Sequence, residues 1–179
     1  MTATNDRWVV ACHESAHAIA GHVLGGRLSG LALTANGGLA GVEGLHGDRH
    51  AFMTAAGPAA EHLASEHPAP ELPVDDDEHV GDRTATVADD LDSLRMGLHV
   101  ARFGSHPGEY PSDDRSLALW AITSHEDDPD SWARRIRFAR HVADEIIVKN
   151  AGTVLRVATE LFIRGRLSRV EIENLLKGA

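Results

Sequence analysis

The chain has 179 residues, 42% of them hydrophobic, enough for one sizeable core and too many for wholesale disorder. Its formal net charge is −10 and no Lys/Arg-rich stripe stands out, which argues against nucleic acid or anionic lipid as the main partner. No apolar run approaches the roughly 20 residues of a membrane span, so no membrane is expected, and the polar residues 1–7 lack a signal-peptide pattern. One cysteine, Cys12, cannot close an internal disulfide and suits a reducing cytoplasm. The 12 histidines raise the expectation of metal chemistry.

Residues from about 5 to 24 read as a helix. Asn5 or Asp6 can cap it, no Gly or Pro interrupts it before Gly21, and Gly25-Gly26 end it. Over about 28–45, Leu31, Leu33, Leu39 and Val42 alternate loosely around Asn36-Gly37-Gly38, which predicts a short hairpin turning at Asn-Gly. A second, Ala-rich helix covers about 50–66, with Gly57-Pro58 predicting a kink or two shorter helices. Residues 68–82, with Pro68, Pro70, Pro73 and the acidic run Asp75-Asp76-Asp77-Glu78, form a solvent loop.

A third helix is expected over about 84–103, with Leu91, Leu94, Leu98 and Phe103 on roughly one face. Helices then fill about 112–179. Asp113 caps the first, and a long one runs from Asp130 toward Arg164, with a break expected near Asn150 to Gly152 and an end at Gly165. Ser168 and Glu171 have capping-box spacing for a last short helix. The fold class is mainly α (α+β), a single domain over 1–179 with one small β element.

His13-Glu14-Ser15-Ala16-His17 matches H-E-x-x-H, and chemistry explains the spacing. Residues four apart share a helix face, so both imidazoles can bind one ion. Zinc suits neutral imidazole, and a catalytic site leaves a position open for water. Glu14, roughly 100° round the helix from His13, can reach that water as general base without being a ligand. The plain competing reading is a solvated polar face. The motif's place inside a predicted helix favours the metal. Cys12 reads as a small buried residue, His22 as surface, and Trp8, Trp120 and Trp132 as core or interface anchors.

A catalytic zinc site usually takes a third protein ligand. Asp89, Asp90 and Asp92 on the third helix and Glu61 and Glu66 on the second are all available, and spacing does not choose among them.

Over nearly its whole length the chain resembles the peptidase domain of FtsH, a membrane-bound, ATP-dependent zinc protease family. His13-Glu14-Ser15-Ala16-His17-Ala18 is similar to that family's H-E-A-G-H-A. Ala56-Gly57-Pro58-Ala59-Ala60-Glu61 resembles its G-G-R-A-A-E, and Val87-Ala88-Asp89-Asp90-Leu91 resembles its A-S-N-D-L. The tail over 155–176 is similar to the family's final helices. The resemblance implies a zincin-like domain in which Asp90 is the third zinc ligand and Glu61 holds the site from behind by hydrogen bonding. It also implies that the strand over 38–44 pairs with the backbone of a peptide or unfolded protein substrate.

The departures are an absent ATPase module, absent membrane segments, and Ser15-Ala16 for Ala-Gly. The expectation is a cytoplasmic zinc metalloendopeptidase that does not itself use ATP. Three alternatives stay open: a weakly catalytic metal- or peptide-binding module, a subunit working with a separate ATPase partner, and an enzyme whose third ligand is Glu61.

Overall fold

The computed structural model describes residues 3–35, 37–71 and 129–177. The helices expected over 84–103 and from Asp113 to Ile122, and with them Asp90, lie outside the described residues.

The described residues are mainly helical, with one small antiparallel sheet. Helix α1 (Ala3–Val23) is followed by strands β1 (Arg27–Thr34) and β2 (Gly37–Glu43), then helix α2 (Asp48–Glu66). Beyond residue 128 come helix α3 (Pro129–Arg164), strand β3 (Arg166–Ser168) and helix α4 (Arg169–Lys177). The expected cap at Asn5 or Asp6 is corrected: α1 already starts at Ala3, and Asp6 lies in its first turn, where a carboxylate favours the helix dipole.

Helices α1, α2 and α3 each pack against the other two. Their shared core holds Ala16, Ile19, Ala55, Ala60, Leu63, Ile147, Val154 and Phe162, all buried. The small residues of α2 (Ala51, Ala55, Ala56, Gly57, Ala60) face inward, so its axis can come close to α1. Trp8 is the anchor the sequence suggested. Its ring is buried edge-on to Phe162 at 5.7 Å, and its indole N–H donates to the His67 carbonyl at 2.7 Å.

Pro58 sits on the exposed side of α2, which continues unsplit to Glu66. Proline offers no N–H to the Thr54 carbonyl, but an outward ring leaves the packed face intact. The break expected near Asn150 to Gly152 is likewise corrected, since α3 runs through it. There the Asn150 amide donates to the Ile146 carbonyl at 2.7 Å, while Gly152 faces open space. The helix ends at Gly165, whose φ of 75° is easy only for glycine and whose N–H reaches the Leu161 carbonyl at 2.8 Å. Arg7, reaching over from α1, donates to the Phe162 carbonyl at 3.1 Å and so caps the same end.

The hairpin is present with its turn shifted by one residue. Gly37 pairs with Thr34 and Gly38 with Leu33, which places both glycines in β2. The sheet order is β2-β1-β3, and β3, which no sequence pattern predicts, pairs antiparallel with Gly30, Leu31 and Ala32 of β1. Among the described strands β2 therefore pairs on one side only. The capping box at the start of α4 is complete. The Ser168 backbone N–H donates to the Glu171 carboxylate at 2.8 Å, its hydroxyl donates to the same oxygen at 2.6 Å, and the Glu171 N–H reaches the hydroxyl at 3.4 Å.

Candidate metal centre

His13, Glu14 and His17 lie in the middle of α1, where helical geometry stacks the two histidines one turn apart. Their neighbour across the helix interface is α2. The two rings stand edge to face, with centroids 4.7 Å apart and planes at 80°. Their Nε2 atoms approach to 3.1 Å.

The other ring nitrogens determine what those Nε2 atoms carry. His17 Nδ1 lies 2.8 Å from the Met53 carbonyl, which only accepts, so that nitrogen carries the proton. His13 Nδ1 lies 3.0 Å from the Glu61 carboxylate, again an acceptor. In neutral rings both protons thus sit on Nδ1, and two Nε2 lone pairs converge on one small region. Two lone pairs repel, and a cation between them turns the repulsion into attraction. Nitrogens on one tetrahedral zinc at about 2.0–2.1 Å stand about 3.3 Å apart, close to the separation found.

The donor set therefore fits a divalent ion at two positions. Among the described residues, no group of three His, Cys, Asp or Glu side chains comes together to hold an ion. Asp90, Asp89 and Asp92 lie outside them. Glu61 is within them, but its carboxylate approaches His13 from the Nδ1 side, away from the Nε2 convergence. Glu66 is exposed at the last residue of α2.

Burial is graded across the site. His17 and Glu14 are 8% and 9% exposed, whereas the His13 side chain is 22% and Glu61 50% exposed. One side of the pair is thus embedded, and the Glu61 side opens to solvent. Glu14 lies against the start of β2. A Cβ placed on Gly38 would stand 2.3 Å from Glu14 Cγ and 2.8 Å from Oε1. Gly57 approaches the rings as closely: its Cβ would stand 2.4 Å and 2.6 Å from the Nε2 atoms of His13 and His17.

From sequence, neither Gly57 nor the Met53 carbonyl belongs to the site, and Gly38 enters only as the start of the expected substrate-pairing strand. Gly57-Pro58 reads as a helix interruption and Gly38 as a turn residue, and a backbone carbonyl leaves no compositional signal. Cys12, next to His13, is fully buried, and burial pushes its thiol up to about 12, so it is held as a protonated core residue. His22 is exposed in the last turn of α1. No family model matches the chain, and no curated protein matches it in sequence. Among the described residues, no helix is long and apolar enough to cross a membrane.

Proposed function

We propose that the protein is a zinc-dependent endopeptidase of the zincin-like, FtsH-peptidase type, acting in the cytoplasm on flexible or unfolded protein segments. The observation that carries this reading is the convergence of the His13 and His17 Nε2 atoms at 3.1 Å, with each Nδ1 already committed to an acceptor. His13, His17 and Asp90 hold the ion. Zinc bound there acts as a Lewis acid, making a water more acidic and a substrate carbonyl more electrophilic.

The chain's own groups do the rest. Glu61 accepts the Nδ1 proton of His13 and Met53 O that of His17, which fixes both tautomers and aims both Nε2 lone pairs. Glu14, mostly withdrawn from solvent, takes the proton of the attacking water and passes it to the leaving amine. The edge of β2 beyond Gly38 offers backbone groups for an extended substrate to pair with, next to Glu14. Pairing through backbone alone makes few demands on substrate sequence.

The test combines metal analysis with digestion of an unfolded protein. Wild type should hold one zinc per chain and cleave. Glu14→Gln should keep the zinc while its rate falls by about 10²- to 10⁴-fold, the usual contribution of a general base. Asp90→Ala should empty the site, whereas Glu61→Ala should weaken zinc only about 10- to 100-fold. A zinc-loaded wild type that cleaves nothing, or Glu14→Gln cleaving at the wild-type rate, overturns the proposal.

A further inference from the structure

We infer that Gly57 is the positioning residue of the site: the missing side chain there leaves the space in which both imidazoles, and an ion between them, can meet. The inference rests on the zinc reading only for its second half. An ideal Cβ on Gly57 would stand 2.4 Å from His13 Nε2, 2.6 Å from His17 Nε2 and 2.7 Å from His13 Cδ2. Carbon and nitrogen that are not bonded sit at about 3.5 Å, so a methyl there excludes both rings from their places. Those separations also fall only a few tenths of an ångström beyond the roughly 2.0–2.1 Å of a zinc–imidazole bond. A side chain at position 57 and a metal on both nitrogens compete for much the same volume.

The rings have little freedom to yield. His17 is tethered through Nδ1 to Met53, four residues before Gly57 on the same helix, and His13 to Glu61, four residues after it. The two tethers bracket Gly57, and each draws its ring onto α2 at that position. The cost is clear from position alone: Gly57 lies in the interior of α2, where glycine is a poorer helix former than alanine. A glycine kept only for flexibility has no reason to be there. A glycine facing two tethered imidazoles does.

The experiment is a stability cycle on metal-free protein, paired with a zinc titration. In the wild-type background Gly57→Ala should lower Tm. In a His13→Ala/His17→Ala background, with the rings gone, the same change should raise Tm or leave it unchanged, as alanine in a helix ordinarily does. Zinc affinity, read by competition with a chromophoric chelator, should fall at least about 100-fold in Gly57→Ala, a loss at the upper end of that seen when a supporting residue is removed. An equal loss of Tm in both backgrounds would mean that Gly57 serves general helix packing, and that overturns the inference. So does a Gly57→Ala protein that binds zinc as tightly as wild type, which leaves the peptidase reading intact. Should wild type bind no zinc while the change of sign in Tm holds, the peptidase reading fails and the steric role of Gly57 stands.

Discussion

Glu14 and Gly38 touch across two elements, and the contact restricts what position 38 can hold. A Cβ there meets Cγ of the glutamate, near the root of the side chain, so the whole carboxylate arm has to swing away. Gly38→Ala is therefore expected to leave zinc content unchanged while lowering kcat on an unfolded substrate by about tenfold or more, since a displaced base loses part of its 10²- to 10⁴-fold contribution. Metal analysis and steady-state rates on the same preparation check this. At this scale the sequence was only partly informative. His13, Glu14 and His17 could be read because H-E-x-x-H is a local pattern on one helix. Gly38, Gly57 and the Met53 carbonyl act through space, from segments 21 or more positions away, and no local spacing marks them.

Among the elements, the helices were the most legible. The stop at Gly165 follows from one residue, and the start of α4 from Ser168 and Glu171. Two expected splits, at Gly57-Pro58 and near Gly152, do not occur for one reason: Pro58 and Gly152 are outward-facing, so the packed side of each helix continues past a residue that breaks isolated helices. Strand β3 is three residues long, too short for any alternation to appear, and exists because Leu167 is buried against the sheet.

The capping box carries a pH signature of its own. The Ser168 hydroxyl, then its backbone N–H, and then the Arg164 guanidinium hold the Glu171 carboxyl below the usual carboxylate range. Because the folded value is depressed, its stabilising contribution is complete above the ordinary value of about 4.3 and is lost as pH falls through the folded one. Ser168→Ala should cost about 1 kcal/mol at neutral pH. The gap between variant and wild type should narrow once acid protonates Glu171, as urea unfolding at neutral and acidic pH will measure.

For the molecule as a whole, the sequence yielded the fold class, mainly helical with a small sheet, but not the order of that sheet. A metal on α1 with a further donor from beyond the described residues would bind the folded chain and not the unfolded one. Free zinc at about 100 times its Kd should then add about 2.7 kcal/mol of stability. A chelator should lower Tm correspondingly, whereas magnesium, which prefers oxygen ligands, should have little effect. Differential scanning fluorimetry with and without each ion checks this.

The β sheet also orders events during synthesis. Its central strand, β1, is made well before its partner on one flank, residues 166–168, which follow more than 130 positions later. Until those three residues arrive, Gly30, Leu31 and Ala32 expose a row of backbone donors and acceptors that a neighbouring nascent chain could pair with. Completion of the sheet beside α1 therefore waits until residues 166–168 have been made, and a premature stop before Arg166 would yield an aggregation-prone edge as well as a shorter product.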